Sequence, residues 1–392
     1  MMLRITLLYV LLNCVCSISQ EVFIGLYSNV QLKKISIHSS KVGLKIISDS
    51  LESITINPGI TVQISVDGDE TSLNWDNKII NVSNLSISSI DVKSEIEVQS
   101  INPKFRKRVY YGELLLKSEN GKLSIINKIP LEKYIENVVQ SEGGYNKSLE
   151  YYKVQSILSR TYALKNLKRH QSQGFSLCDD VHCQAYHSSK VSSSIVHKAV
   201  ELTSGIIIRD SSTHNLTDAL YHANCGGQTS RSDFVWQDNI QGLQPFIDTF
   251  CIHTKQSHWE KKIFRQDWIN FFVNNYYYPF EDSLQINCLF NFRQDERKIF
   301  FISPHLGIPL KDVRKAFQLN STYFSCYEDG EYITLRGRGF GHGVGMCQEG
   351  AMNMANYSFN YQQIIFHYFN KVYFDVSNDD FMKQKVALLW DF

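Results

Sequence analysis

The chain has 392 residues, which is enough for one large domain or two domains of ordinary size. Its 40 basic and 39 acidic side chains give a formal net charge of +1, so neither nucleic acid nor an anionic membrane surface is favoured as a partner. Aromatic residues make up 12% of the chain, which fits carbohydrate contacts, although strand and core composition account for most of them.

The first residues are typical of a secretory signal. Arg4 is the only charge before an apolar run over residues 5–16, and small residues follow at 17–19. This run is too short to span a bilayer, and no later apolar run reaches ~18 residues. We therefore expect residues 1–19 to be removed and the mature chain to be exported, without a transmembrane segment, to the periplasm, cell envelope or extracellular space. Anchoring as a lipoprotein through Cys14 or Cys16 is the alternative.

Seven cysteines follow the predicted signal, and an odd number cannot all form internal disulfides. One solution is that the first two bind a metal, the third pairs with the fourth, the fifth pairs with the sixth, and the last stays free. In chain order they are Cys178, Cys183, Cys225, Cys251, Cys288, Cys326 and Cys347.

Residues 21–128 are predicted to form a β-rich scaffold. Short β-branched runs are separated by turn residues, and two of them flank Asn120-Gly121, which is a strong hairpin turn. No chemistry is evident in this part of the sequence.

A helix is predicted to begin after Pro130 and to end at Gly143-Gly144. Its apolar stripe recurs at helical spacing, and Glu142 occupies the next position on that stripe. Burial would raise the pKa of this carboxyl group, as a general acid requires. The alternative is a glutamate that turns to solvent as the helix frays. The stripe consists of Leu131, Tyr134, Ile135, Val138 and Val139.

A second helix is expected from about Ser148 to His170, with Ser148 as its N-cap. Arg160 lies on its apolar face. It could pair with Glu142, contact a substrate or bind carbonyl groups in the core.

Two cysteines and three histidines lie within the 18 residues 170–187, and this combination suits tetrahedral zinc. His170, Cys178, His182 and Cys183 are the predicted ligands, with His187 in reserve. A Cys178–Cys183 disulfide or unrelated surface histidines are the alternatives. Because no open position with a general base is evident, we expect a structural metal site.

A strand over residues 219–224 is predicted to end in Cys225-Gly226-Gly227, a loop that could line a cleft, with Trp236 nearby. The aromatic-rich residues 252–330 contain expected helices at 263–275 and 310–317.

Glycine occupies every second position from 337 to 345. In an extended strand, this spacing places the glycines on one face and His342 on the other. A face without side chains permits close approach of another backbone or of a flat ligand. The segment is thus either a tightly packed internal hairpin or a ligand-facing floor that carries His342.

Five stretches, taken together, resemble the stage II sporulation protein D family, also called the SpoIID/LytB domain. The resemblance spans about residues 105–372, and the order and spacing of the motifs make it specific. Cys347 stands where the family often has Ser. The stretches are PLEKYIENVVQSE (130–142), KVQSILSRTYAL (153–164), LCDDVHCQAY (177–186), YHANCGGQTS (221–230) and GRGFGHGVGMCQEGA (337–351).

The resemblance implies an α+β fold in which a β-rich N-terminal region, 20–104, packs on a mixed helical and β catalytic body, 105–372, followed by a tail, 373–392. It also implies a lytic transglycosylase that cuts the β-1,4 bond between N-acetylmuramic acid and N-acetylglucosamine in bacterial peptidoglycan. The matching catalytic acid is Glu142, and some members carry zinc at the cluster of histidines and cysteines. Glycan strands are the expected partner, and other cell-wall hydrolases are further candidates. The candidate substrate contacts are Arg160, Tyr221, His222, Gly226, Gly227, Gly341, His342, Gly343 and Gln348.

One carboxyl group is sufficient for this reaction. Ordinary glycosidases use two, but here the substrate's own 6-hydroxyl attacks intramolecularly. A non-catalytic glycan-binding protein or amidase activator remains the alternative function. A cysteine hydrolase built on Cys347 and His342 is disfavoured, because a spacing of five points the two apart in a strand. The transglycosylase hypothesis predicts that the glycine segment and the end of the Glu142 helix meet across one groove.

Overall fold

The computed structural model describes residues 20–48, 52–91, 94–187, 193–236, 240, 242–280 and 283–377. The predicted signal, residues 1–19, and residues 378–392 lie outside the described ranges. Within those ranges, no helix has both the length and the apolar character needed to cross a membrane.

Two β-sheets form the N-terminal part. The strands are β1 (Glu21–Leu26), β2 (Lys34–His38), β3 (Leu44–Ser48), β4 (Ile54–Ile56), β5 (Thr61–Asp67), β6 (Glu70–Trp75), β7 (Lys78–Val82), β8 (Asn84–Ser89), β9 (Ile96–Asn102), β10 (Arg108–Tyr110), β11 (Glu113–Glu119), β12 (Lys122–Pro130) and β13 (Leu177–Cys178). One sheet has the order β10-β9-β2-β5-β6-β7, and the other has the order β13-β1-β12-β11-β8-β3-β4. In β2, Ile35 and Ile37 are fully buried between less buried neighbours, because successive side chains point to opposite faces of a strand.

The first sheet continues across the division predicted after residue 104, since β9 and β10 pair with each other. Both sheets share a single hydrophobic core with the helices that follow. The β-rich part and the body are therefore joined by packing as well as by the chain, as an α+β fold.

Helices and short strands form the next layer. They are α1 (Leu131–Gly143), α2 (Leu149–Lys165), α3 (Ser194–Leu202), β14 (Ile206–Asp210) and β15 (Tyr221–His222). Helix α1 packs against β1 and β12, and α2 packs against α1 and α3. The predicted apolar stripe of α1 is buried throughout. Helix α2 ends at Lys165, before the predicted His170, because the side chain of Asn166 donates to the carbonyl of Tyr162 at 2.8 Å and closes the helix.

Residues 258–338 contain a second hydrophobic core, which the sequence analysis did not anticipate. At its centre Trp268 is fully buried, and its indole N–H donates to the carbonyl of Leu289 at 3.0 Å. The strands of this unit form a three-stranded sheet in the order β16-β18-β17. Its elements are β16 (His258–Phe264), α4 (Arg265–Tyr276), α5 (Ser283–Phe290), α6 (Leu310–Ala316), β17 (Phe324–Asp329) and β18 (Tyr332–Arg338).

The chain returns to the main core after β18. The last elements are β19 (Met346–Cys347), α7 (Gln348–Asn356), α8 (Tyr361–Tyr368) and β20 (Val372–Val376). Strand β19 pairs with β15 in parallel, and β20 pairs with β14 antiparallel. Residues 373–376 of the predicted tail are therefore part of the fold.

The glycine segment corrects the sequence prediction, since only Gly337 lies in a strand. Gly339, Gly341, Gly343 and Gly345 have φ values of +77°, +102°, +84° and +74°, which place them outside the extended region. The segment is a loop in which glycines with positive φ alternate with ordinary residues.

Close packing against the chain itself explains the glycines. A Cβ atom on Gly337 would lie 2.0 Å from the ring of Trp259, and one on Gly345 would lie 2.2 Å from the carbonyl oxygen of Leu220. On Gly339 it would lie 2.6 Å from the carbonyl oxygen of Asn224. The space beside these glycines is filled by protein atoms, so the glycine side of the segment packs internally and is not open to a ligand.

We predict that Gly345→Ala destabilises the protein more than Gly330→Ala. Both positions have positive φ, which costs an Ala residue about 1–2 kcal/mol, but a Cβ on Gly330 meets no atom within 4 Å. The clash at Gly345 should add about 1–3 kcal/mol. Denaturant unfolding of the two variants measures the difference, and equal losses would contradict the packing described for this segment.

Candidate active site and metal cluster

Glu142 lies in the last turn of α1, at the end of the apolar stripe. The helix stops at once because Gly144 adopts a φ of +70°. The half-buried carboxylate accepts a hydrogen bond from the backbone N–H of Ala185, with 2.6 Å between nitrogen and Oε1. The side chain of Tyr221 also acts on this carboxylate and favours its ionised form, which lowers the pKa of Glu142. Glu142 thus faces the protein, not bulk solvent.

Burial raises the pKa of the Glu142 carboxyl group above its ordinary value, because water no longer solvates the charge fully. The hydrogen bonds from Ala185 and Tyr221 act in the opposite direction and offset part of this rise. The group therefore holds its proton to higher pH than an exposed glutamate. Its two donors are placed to stabilise the carboxylate once the proton leaves.

A chain of hydrogen bonds leads to this carboxylate. The hydroxyl of Tyr134 donates to Oε1 of Gln184 at 3.2 Å, and Nε2 of Gln184 donates to the hydroxyl of Tyr221 at 3.1 Å. Since the Tyr221 oxygen already accepts from Gln184, its proton is available to Glu142. Tyr221, predicted as a substrate contact, is here a partner of Glu142.

The glycine segment reaches the end of α1 through Gln348. The buried amide of Gln348 donates to the carbonyl of Glu142 and to Oε1 of Gln155, both at 3.3 Å. It satisfies a helix-end carbonyl that has no partner within α1. The two motifs are therefore in contact through Gln348, whose side chain is engaged with the protein, while a groove between them stays a prediction.

Three aromatic rings lie in a row, beginning at His222 in β15. The rings of His222 and His342 are 5.5 Å apart, and the partly exposed ring of Trp236 lies 5.2 Å from His342. Burial lowers the pKa of His342 to about 4, so the imidazole is neutral and accepts from the backbone N–H of Val344 at 3.1 Å. His222 is buried, and among the described residues its Nε2 has no hydrogen-bond partner.

Arg160 corrects the sequence prediction of a substrate contact. Its fully buried guanidinium forms a bidentate ion pair with Glu132, at 2.8 and 2.6 Å, and donates to the carbonyl of Ile206 at 3.0 Å. These contacts tie α2 to α1 and β14. A side chain with no exposed surface and these partners is not available to a ligand.

The predicted glycine contacts divide into two groups. Gly226 and Gly227 border a cleft of about 510 Å³ between the main core and the second core, which contributes Asp295, Glu296 and Tyr323 to its lining. Gly341 and Gly343 instead pack against the Cβ of His222 and the guanidinium of Arg297, which leaves little room for a substrate.

A second carboxylate, Glu349, was not predicted as a site residue from the sequence. Its Oε2 accepts from Asn224 at 2.7 Å and from the hydroxyl of Thr254. It lines a pocket of about 250 Å³ that also includes residues 146–148, which follow α1. Its position directly after Gln348, within the motif at residues 337–351, is the sequence feature that could have indicated it.

The four predicted metal ligands converge. One donor atom each from His170, Cys178, His182 and Cys183 lies within 4.8 Å of all the others. The sulfur of Cys183 is 3.4 Å from Nε2 of His170 and 3.6 Å from Nδ1 of His182, and the sulfur of Cys178 is 3.7 Å from the same Nδ1. In a tetrahedral zinc site, bonded sulfur and nitrogen atoms are about 3.5 Å apart, so the donor set fits zinc.

Neighbouring groups hold these ligands in place. Nδ1 of His170 is 3.2 Å from Oε1 of Gln173, which sets the tautomer that leaves Nε2 free to bind a metal. Cys178 lies in β13, whose pairing with β1 fixes its position. His187 is outside the cluster, and its backbone N–H lies 3.4 Å from the hydroxyl of Ser141. Gln184 and Ala185, which follow Cys183 directly, are the residues that contact the Glu142 network.

Comparison with known proteins gives the following relatives. An uncharacterised protein of Brachyspira hyodysenteriae is 25% identical over 267 residues, which cover 67% of this chain and 71% of that protein. Stage II sporulation protein D of Bacillus subtilis is 24% identical over 262 residues, 62% of this chain and 74% of that protein. The amidase enhancer of Bacillus subtilis is 24% identical over 285 residues, 60% of this chain but 39% of that protein.

A family model described as SpoIID, stage II sporulation protein, matches residues 119–209. This segment contains Glu142, the hydrogen-bonded residues Gln184 and Ala185, and all four clustered histidines and cysteines. The family match and the sporulation-protein relatives confirm the resemblance predicted from the motifs, and the family model itself covers residues 119–209.

Proposed function

We propose that this chain acts on the bacterial cell wall as an exported lytic transglycosylase, with Glu142 as its single acid and base. The observation that carries the proposal is the setting of Glu142, a half-buried carboxyl group with a raised pKa and two hydrogen-bond donors on the ionised form. This setting is the one a proton donor needs near neutral pH.

In the proposed first step, Glu142 transfers its proton to the glycosidic oxygen between N-acetylmuramic acid and N-acetylglucosamine as the C1–O bond breaks. The N-acetylglucosamine leaves with a free hydroxyl group, and positive charge develops at C1 of the muramic sugar. The carboxylate that remains is stabilised by the N–H of Ala185 and the hydroxyl of Tyr221.

In the second step, the carboxylate takes the proton of the 6-hydroxyl of the same muramic sugar while that oxygen bonds to C1. A 1,6-anhydro ring forms and Glu142 regains its proton, so the cycle consumes no water. The attack is intramolecular and has a high effective concentration, which removes the need for a second protein nucleophile.

Trp236 and His342 are the proposed sugar contacts. The exposed indole and the neutral imidazole beside it offer an apolar ring surface. Such surfaces suit the faces of pyranose rings. His342 interacts with the backbone of Tyr221, and the side chain of Tyr221 acts on Glu142, so one residue connects the proposed sugar contacts with the proposed acid.

We further propose that His170, Cys178, His182 and Cys183 hold a structural zinc ion. All four donors come from protein side chains, so no position remains for a catalytic water. Bound zinc would fix the loop that ends at Cys183, and with it the placement of Gln184 and Ala185 against the Glu142 network.

Glu142→Gln should abolish formation of anhydromuramic ends on peptide-free glycan strands, with a loss of at least about 100-fold. Glutamine keeps an oxygen that accepts from Ala185 but has no proton to transfer. Mass spectrometry of the products measures the loss, and Glu201→Gln, on the exposed face of α3, is the matched control.

Two outcomes would contradict the proposal in different ways. An active Glu142→Gln variant would remove Glu142 from the reaction. A wild-type protein that binds glycan but gives no anhydro product would favour the glycan-binding or amidase-activating alternative, to which the amidase enhancer relative points.

Tyr221→Phe should move the high-pH limb of kcat/KM to higher pH, by at most about one unit. The Tyr221 hydrogen bond favours the carboxylate and lowers the pKa of Glu142, so its removal raises that pKa and keeps the acid form at higher pH. The measurement is a pH–rate profile, with Tyr357→Phe at an exposed position as control. A limb that does not move would show that Tyr221 is not coupled to the acid.

Cys183→Ser should lower the zinc content by about one ion per chain, since a hydroxyl is a poor zinc ligand compared with a thiolate. Elemental analysis of the purified protein measures the change, and Cys288→Ser, outside the cluster, is the control. Equal zinc content in wild type and Cys183→Ser would exclude zinc from this cluster.

A further inference from the structure

A second group of metal-binding side chains lies in the main core, apart from the histidine and cysteine cluster. It comprises one carboxylate and three thiols, all buried, and one donor atom from each residue lies within 4.8 Å of the others. We call it the Cys3Asp cluster; its members are Cys225, Asp248, Cys251 and Cys347.

The cluster joins three distant parts of the chain. Cys225 follows β15, Asp248 and Cys251 are three residues apart in one loop, and Cys347 is the N-cap of α7 at the end of the glycine segment. The sulfur atoms of Cys225 and Cys251 are 3.2 Å apart, and the sulfur of Cys225 is 3.4 Å from Oδ2 of Asp248. Tetrahedral zinc would hold sulfur and oxygen ligands about 3.5 Å apart and two sulfur ligands about 3.8 Å apart, so small movements would complete the site.

Backbone amides surround two of the sulfur atoms. The sulfur of Cys347 accepts from the N–H groups of Cys225, at 3.3 Å, and Gly350, at 3.4 Å. The sulfur of Cys251 has backbone hydrogen bonds from Gly226 and Gly227. Amide donors stabilise a negatively charged sulfur, so these contacts favour thiolates, the form that binds metals.

The carboxylate is also oriented. The hydroxyl of Tyr368 donates to Oδ2 of Asp248 at 3.0 Å, and the N–H of Phe250 donates to Oδ1 at 3.0 Å. Such partners hold the carboxylate ligands of metal sites in a fixed direction.

Once its thiols are ionised, as in a metal site, the cluster needs a cation nearby. Several buried anions at this separation are strongly unfavourable unless a positive charge offsets them. The buried guanidinium of Arg297 donates to the carbonyl of Cys225 at 2.7 Å, and within the described part of the chain it forms no ion pair with a carboxylate. A divalent ion bound by three thiolates and one carboxylate would carry a net charge of −2, and Arg297 would offset part of it.

We propose that the Cys3Asp cluster binds a second zinc ion, which clamps the Gly-Gly loop, the 248–251 loop and the end of the glycine segment together. The site is closed, with four protein ligands and no open position, so its role is structural. The main rival is a Cys225–Cys251 disulfide, the pairing considered from the sequence. A disulfide would make no use of Asp248 or of the amides on Cys347. The proposal does not depend on the transglycosylase activity.

The test begins with metal analysis of the exported chain, purified without chelators or reductants. Wild type should contain about two zinc ions, and Cys347→Ser and Asp248→Asn should each lose about one. Cys183→Ser combined with Cys347→Ser should lose nearly all zinc. Cys326→Ser, at a buried cysteine outside both clusters, is the matched control and should retain both ions.

A second measurement on the wild type keeps the proposal testable if the variants fail to fold. The denatured protein is alkylated without reductant and digested, and the peptides that carry Cys225, Cys251 and Cys347 should all be alkylated. A peptide pair linked through Cys225 and Cys251 would overturn the proposal. So would a wild type with a single zinc that Cys183→Ser removes, or zinc contents unchanged by Cys347→Ser and Asp248→Asn.

Discussion

The hydrogen bond from the N–H of Ala185 to the carboxylate of Glu142 is the constraint on which the site depends. It joins the end of α1 to a loop that begins at β13 and carries three of the four clustered residues, Cys178, His182 and Cys183. Because the carboxylate is half-buried, it needs such a donor, and because the donor is a backbone group, its position is set by the loop and not by a rotamer. Three features hold the loop in position for this contact. They are the proposed zinc ion, the pairing of β1 with β13, and the hydrogen bond from Gln184 to Tyr221.

The sequence predicted the parts of the site that depend on local periodicity and residue chemistry. The stripe that ends at Glu142 follows from helical spacing, and the cluster around Cys178 and Cys183 follows from ligand types within a short segment. Both are local patterns, so the fold had little freedom to rearrange them. The strands of the N-terminal sheets were predictable for the same reason, since alternation along β2 alone decides which face is buried.

The parts that depend on distant neighbours were not predictable. The glycine spacing is compatible with an extended strand, and only contacts with residues 220–226 and with Arg297 show that the positive φ values serve close packing. Arg160 looked available for a ligand because its partner, Glu132, lies 28 residues away. The helices near 263–275 and 310–317 were predicted, but the separate core that they form was not, because their apolar residues are buried only against other elements of that unit.

The contact between Gln348 and Glu142 spans 206 residues of sequence. Pairing over such a distance requires closure of a long loop and forms late compared with local helices and hairpins. Helix α1 can therefore form early, but the carbonyl at its end gains its partner only when nearly the whole chain is present. The environment at the end of α1 is therefore completed by a segment near the end of the chain, and an incomplete chain has the glutamate without the Gln348 contact at its helix end.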